Sequence, residues 1–167
     1  MDCEISIILP TFNEAGSIRL LIPALQGVLY HAGYDNFEVI VVDDGSTDGT
    51  REVIEILNLK WVRFFSRSNQ PSLGKSIKKG LKYARGNNII IMDSDFNHKP
   101  KCIPAMLKKL KTCDVVSASR YGFGNGGMND KKREFGSRIM NQLIRLLLGS
   151  KVSDNLYGYY CFKKKLI

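Results

Sequence analysis

Hydrophobic positions along the chain alternate between short continuous runs and stripes spaced three or four residues apart. Ile5 to Leu9, Phe37 to Val42, Trp61 to Phe65 and the run from Asn88 through Met92 to Asp93 have the length and composition of buried strands. Between them, Ile18, Leu21, Ile22, Leu25, Val28 and Leu29 mark one face of a helix predicted from about Ser17 to His31. Val53, Ile54 and Leu57 mark a second helix, the stretch 74–84 a third and the stretch 101–110 a fourth. A strand at 114–119 and a strand-like run at 159–162 follow. Strands alternating with helices predict an α/β fold, with a mostly parallel sheet covered by helices on both faces.

The last third changes rhythm. Residues 121–129 form a glycine-rich stretch, and 131–148 carry Phe135, Ile139, Leu143 and Leu146 or Leu147 at helical spacing. That stripe suits a core-facing helix. Leu146 to Leu148, apolar all round and flanked by Arg145 and Lys151, also suits an interfacial one.

Composition narrows the class. With 167 residues, 44% of them hydrophobic, the chain is long enough for a single domain with a substantial core. It has no secretory leader pattern and no run long enough to span a bilayer, so a cytoplasmic-side protein is expected. Cys3, Cys102, Cys113 and Cys161 are scattered without a Cys-x-x-Cys pair, which predicts reduced thiols rather than a disulfide or zinc framework. The net charge of +9 is unevenly placed. Residues 1–98 hold ten basic and twelve acidic residues, and residues 99–167 hold fifteen and four. The basic half needs an anionic neighbour or a solvated face. No aromatic-rich strand or arginine-rich helix singles out nucleic acid, and no nucleic-acid partner is expected.

Candidate chemistry gathers where strands end. Asp93 and Asp95 are two apart at the end of an apolar run, so on extended chain their side chains project the same way, roughly 7 Å apart. Sparse carboxylate ligation at the carboxyl edge of an α/β sheet suits Mg²⁺ or Mn²⁺ carrying a diphosphate. A polar turn is the plainer explanation. Asp43 and Asp44 end the second strand in the same manner, with Gly45 and Gly49 suited to turn dihedrals and Thr47 or Asp48 to capping. Two nucleotide motifs are disfavoured by their glycine positions. Residues 10–16 lack Gly-x-Gly-x-x-Gly, and Leu73-Gly-Lys-Ser76 has Asn69 where a P-loop needs glycine.

Taken in order, Pro10-Thr-Phe-Asn-Glu14, Val41-Val-Asp-Asp-Gly-Ser-Thr-Asp-Gly-Thr50, Leu73-Gly74, Ile91-Met-Asp-Ser-Asp-Phe-Asn-His-Lys-Pro100 and Ser117-Ala-Ser-Arg-Tyr121 with Gly126-Gly127 resemble glycosyltransferase family 2, in its dolichyl-phosphate mannose synthase branch. The resemblance covers nearly the whole chain. It implies the A-type glycosyltransferase fold, a three-layer α/β/α arrangement, in one catalytic domain over 1–167 that lacks the C-terminal part usual in the family. It further implies that Pro10, Phe12, Glu14, Val42 and Asp44 hold the nucleoside, with Phe12 standing where tyrosine is usual. Asp93, Ser94 and Asp95 become the metal and diphosphate motif, Asn97 a further metal ligand and Arg120 a phosphate ligand. Arg133, Ser137 and Arg138 match a basic stretch near the acceptor phosphate. The segment Asp154-Asn-Leu-Tyr-Gly-Tyr-Tyr160 departs from the family's Asp-x-Thr-Ser-Gly-Phe-Arg, at Leu156 and Tyr160 in particular.

The expected reaction is metal-dependent, inverting transfer from a nucleoside-diphosphate sugar, GDP-mannose favoured, to a dolichyl or other polyprenyl phosphate. Asp95, Arg120 and Asp154 are the candidate catalytic residues. Peripheral contact with an anionic membrane surface and a membrane-anchoring partner subunit fit the same picture. A phosphate acceptor arrives ionised and needs no general base; a sugar hydroxyl needs one, and Asp154 is the late carboxylate available. Capping or hydrogen bonding of its own segment is the other role for Asp154. Two alternatives stay open: a UDP-sugar enzyme with a saccharide acceptor, and a noncatalytic nucleotide-binding or partner-binding remnant.

Overall fold

The computed structural model describes residues 3–67, 70–119, 154 and 157–167. The predicted helix over 131–148 and the glycine-rich stretch before it lie outside the described residues.

Six strands, β1 (Ile5–Thr11), β2 (Phe37–Asp43), β3 (Val62–Ser66), β4 (Asn88–Ile91), β5 (Val115–Ser117) and β6 (Tyr160–Lys163), form one sheet in the order β3-β2-β1-β4-β6-β5. The first four in that order run parallel, and β6 is antiparallel to both β4 and β5. The helices are α1 (Ala15–His31), α2 (Thr50–Leu57), α3 (Leu73–Tyr83) and α4 (Ile103–Leu110), the last entered through a 3-10 turn at Pro100–Cys102.

Period-two alternation along the strands assigns each side chain to a layer. Ile5, Ile7 and Leu9 of β1 and Phe37, Val39 and Val41 of β2 pack with Ile18, Leu21, Ile22, Leu25 and Leu29 of α1, Ile54 of α2 and Ile103, Met106, Leu107 and Leu110 of α4. The opposite face is thinner: Ile8, Ile40, Val42 and Ile89 pack against Ala84 and Leu81 at the end of α3. Thus the predicted three layers are present, with α3 alone on its side among the described helices.

Helix α3 approaches closely because it presents Ser76 and Gly80 to the sheet, both buried. A Cβ at Gly80 would lie 2.4 Å from Ile8 Cγ2. The turn after α3 is tighter still, since a Cβ at Gly86 would lie 2.5 Å from the backbone of Ile5 and Ser6. Buried Glu38 anchors this edge. It accepts from Ser6 Oγ at 2.6 Å, Arg63 Nη1 at 2.7 Å and the Arg85 N–H at 2.6 Å. Burial alone would raise its carboxyl pKa, but the bonds from Ser6, Arg63 and Arg85 outweigh that and hold it below the ordinary value.

The chain order reverses between β1 and β4, so their carboxyl ends open the crevice where α/β sheets take ligands. One sequence expectation is corrected here. The fourth strand ends at Ile91 rather than Asp93, although the Met92 N–H still donates to Ile8 O at 3.2 Å. Residues 93–98 therefore form a turn beyond the sheet. None of the four scattered cysteines is in a disulfide, as expected, and burial pushes the thiol of Cys161 up to about 12.

Candidate functional site

Three segments meet at this edge, and each is fixed by short polar side chains. The turn after β2 closes on Asp43, whose Oδ2 accepts from the Gly45 and Ser46 N–H groups at 3.0 Å each. Gly45 and Gly49 have φ of 86° and 90°, which a side chain would disfavour. Asn13 ties the loop after β1 to this turn: its N–H donates to Ser46 Oγ at 2.8 Å and its Oδ1 accepts from the Thr47 N–H at 2.9 Å. Asp48 serves both helices that leave this edge. It accepts from the Ala15 N–H of α1 at 2.9 Å and from the Thr50 N–H of α2 at 3.1 Å. A carboxylate there satisfies unpaired N–H groups at two helix N-termini at once.

Asp44 is buried against α3. Its Oδ1 accepts from Arg67 Nη1 and, at 2.6 Å, from Ser76 Oγ, while Oδ2 accepts from the Ser72 N–H at 2.8 Å. Arg67 Nη1 also donates to Ser76 Oγ at 2.9 Å and to Ser72 O at 3.3 Å. The Ser76 hydroxyl, in the segment that mimics a P-loop, is thus engaged with a carboxylate.

The acidic turn has a different character. Ser94 is buried and its hydroxyl donates to Pro10 O at 3.1 Å, which ties the turn to β1. Its neighbours face out: Asp93 is 48% exposed, and Asp95 is exposed. Asp95 Oδ1 accepts from the Asn97 N–H at 2.9 Å, and the Asn97 amide also bonds Oδ2. Phe96, with φ of 64°, makes the tight bend that this pairing requires. Desolvation raises the Asp93 carboxyl pKa, His98 opposes that, and the charge of Asp95 adds to it.

His98 closes the turn from beneath. Its Nδ1 accepts from the Asp93 N–H at 2.8 Å, and its Nε2 lies 2.7 Å from Tyr157 O and 3.4 Å from Asp93 Oδ2. Since Nδ1 accepts, the ring proton sits on Nε2 and is donated to Tyr157 O.

The arrangement can hold a small anionic ligand through a divalent cation. Two outward carboxylates, the charge of Asp95 adding to the proton affinity of Asp93, are relieved by a hard cation, and Mg²⁺ or Mn²⁺ with a diphosphate needs few protein ligands. Among the described residues, no cluster of three or more His, Cys, Asp or Glu is gathered for a metal ion. The fit therefore rests on the Asp93 and Asp95 pair, with Asn97 beside it.

Of the other residues expected from sequence, Pro10, Glu14 and half-exposed Phe12 lie at the end of β1 and in the loop after it. Val42 is fully buried, and its side chain belongs to the thinner core layer. Asp154 is fully buried too. Arg120, Arg133, Ser137 and Arg138 lie outside the described residues. Sequence reasoning missed Arg67, Ser72, His98, Tyr157 and Tyr159. Arg67 stands immediately beyond β3 at the same strand edge as Asp44, a position that could have signalled it.

Comparison with known proteins bears on this site. The sequence pattern of glycosyl transferase family 2 matches residues 6–167. A dolichol-phosphate mannosyltransferase of Mycosarcoma maydis is 30% identical over 167 residues, 95% of this chain and 56% of its own length. Those of Pyrococcus furiosus and Saccharomyces cerevisiae are 29% and 28% identical over 98% and 100% of this chain. The chain spans 47% and 63% of their respective lengths. Among solved structures, glucosyl-3-phosphoglycerate synthase from Mycobacterium tuberculosis with Mn²⁺, UDP and phosphoglyceric acid has a TM-score of 0.73 at 24% identity, over 98% of this chain and 57% of that one. The same enzyme with Mn²⁺, UDP-glucose and phosphoglyceric acid has a TM-score of 0.72 at 26% identity, over 98% and 58%.

Proposed function

The chain belongs to glycosyltransferase family 2 and has the A-type fold, and from that premise we propose that it transfers a sugar, with inversion, from a nucleoside-diphosphate donor to a polyprenyl phosphate. The observation that carries this reading is the outward pair Asp93 and Asp95 at the crevice between β1 and β4, in a chain similar to three dolichol-phosphate mannosyltransferases. The names of those relatives favour mannose as the sugar, and the donor of this reading is GDP-mannose.

The chain's residues divide the work. Asp93 and Asp95 would hold Mg²⁺ or Mn²⁺ with Asn97 beside them, and the cation when bound would neutralise charge on the departing diphosphate. Phe12 offers an exposed face to a base, while Pro10, Glu14 and Asp44 border the nucleoside. The Asp44 carboxylate, saturated by Arg67, Ser72 and Ser76, fixes the pocket wall and aims Arg67. Arg120 adds positive charge for the diphosphate, and Arg133, Ser137 and Arg138 take the acceptor phosphate. An ionised phosphate acceptor attacks without a base, which leaves buried Asp154 a structural part.

Membrane contact is part of the proposal. No described helix is long and apolar enough to cross a membrane. Lys75, Lys78, Lys79, Lys82 and Lys164 border an open groove of about 710 Å³ beside α3, a surface that suits anionic lipid head groups. A membrane-anchoring partner subunit fits the same proposal.

Incubation with labelled GDP-mannose, short-chain polyprenyl phosphate and Mn²⁺ tests the reading. Labelled glycolipid is expected, and donor binding without transfer to any polyprenyl phosphate contradicts the acceptor. A second reading, UDP-glucose and a soluble phosphorylated acceptor, is favoured by the likeness to the synthase bound to UDP-glucose and phosphoglyceric acid. The same assay with those substrates separates the two.

A further inference from the structure

We propose that His98 is a positioning residue that couples the acidic turn 93–97 to the segment 157–159, so that ordering a donor on the turn also orders the later segment. This rests on the donor site proposed above. Among the described residues, the turn is tied to the sheet by the Met92 N–H on Ile8 O and the Ser94 hydroxyl on Pro10 O. Besides the Asp95–Asn97 bonds and the packing of Phe96 on the core, it is held, among the described residues, from some sixty residues later in the chain. His98 accepts from the Asp93 N–H and donates to Tyr157 O, at 2.8 and 2.7 Å. Tyr157 Oη donates to Asn97 O at 2.8 Å, and Tyr159 Oη donates to Lys99 O at 3.1 Å. Both chain neighbours of His98 are thus held by tyrosines.

The rings make this connection stiff. The imidazole stacks on Tyr159 at 4.7 Å and 10°, and meets Tyr157 edge-on at 4.6 Å and 83°. His98 is 1% exposed and Tyr159 fully buried. Gly158, with φ of 75°, makes the bend that sets Tyr159 on a face of the ring and Tyr157 at its edge. Its absent Cβ would meet His98 Cε1 at 3.9 Å. A histidine needed only for packing would use one ring face; this one bonds through both nitrogens, and Asp93 Oδ2 lies 3.4 Å from Nε2. Partners of ligand-bearing residues typically change metal affinity by about 10-fold to 100-fold when removed. Coupling between two sites is reciprocal, so donor and late segment must stabilise each other.

Hydrogen exchange of the intact chain, with and without Mn²⁺ plus GDP or UDP, tests this. Slower exchange is expected in peptides covering 88–97 and 157–163 together. His98→Phe keeps a stacked ring and removes both hydrogen bonds. It is expected to weaken Mn²⁺ binding by about 10-fold in calorimetry and to abolish the slowing at 157–163. His98→Asn keeps an acceptor near the Asp93 N–H, so Mn²⁺ affinity recovers while slowing at 157–163 stays lost. Should His98→Phe not fold, Tyr157→Phe removes the hydroxyl's bond to Asn97 O and is expected to halve the slowing at 157–163. Slowing confined to 88–97 in the unaltered chain, or wild-type Mn²⁺ affinity in His98→Phe, overturns the coupling and leaves the donor site standing. No slowing at either peptide with either nucleotide overturns the donor site and this inference with it.

Discussion

Arg67 and Asp44, 23 residues apart, form a buried ion pair at the strand edge, with both side chains 7% exposed. Two serines complete it, through the Ser72 N–H and the Ser76 hydroxyl. A carboxylate that only awaited a nucleoside would be dispensable in the free protein. Here it compensates a buried guanidinium. Asp44→Ala is therefore expected to destabilise the ligand-free chain by about 3–5 kcal/mol, because Arg67 is left buried and unpaired. A melting temperature unchanged by this substitution, measured without nucleotide, would show that the pair is not structural.

The Asp93 carboxyl has the opposite energetics. Its pKa is raised on folding, so its charged form costs stability at pH values above the unfolded one. Asp93→Asn removes that charge and is expected to raise the ligand-free melting temperature slightly, while abolishing any stabilisation by Mn²⁺ with GDP or UDP. Retained metal-dependent stabilisation in this variant would remove Asp93 from the donor site.

Glu38 predicts the acid limb of the stability curve. Its folded pKa is depressed, so its contribution is fully present above the unfolded value and is lost as pH falls through the folded one. Glu38→Gln should lower stability at pH 7 by about 1–3 kcal/mol and flatten the loss below about pH 4.3. Urea midpoints measured from pH 3 to 7 check this, and parallel curves for the two proteins would refute it.

Glycines 86 and 16 separate close approach from mere position. Gly86→Ala forces a Cβ to 2.5 Å from backbone atoms and is expected to prevent stable folding. Gly16 lies in the first turn of α1 with open space around it, so Gly16→Ala is expected to stabilise by roughly 0.5–1 kcal/mol. Thermal unfolding of the two variants, side by side, reads the difference.

Much of this fold was legible because burial on both faces of a parallel sheet writes continuous apolar runs, as in Ile5 to Leu9 and Phe37 to Val42. The stripe from Ile18 to Leu29 likewise located α1. The limits are equally physical. Asp93 follows an apolar run, yet ladder pairing ends at Ile91, because strand ends depend on a partner's length that no single segment encodes. The reach from His98 to Tyr157 and from Arg67 to Asp44 was not legible, since such contacts depend on topology rather than spacing. Asp43, Asp44 and Asp48 look alike in sequence and differ in task. One closes a turn, one neutralises an arginine, and one caps two helices.

Calorimetric titration of GDP and UDP into the intact chain and its Asp95→Asn variant, each with Mn²⁺ and with chelator, tests the donor site most directly. The account predicts binding of at least one nucleotide that requires Mn²⁺ and is lost in Asp95→Asn. Metal-independent binding that the substitution leaves unchanged, or no binding by either nucleotide, would contradict it.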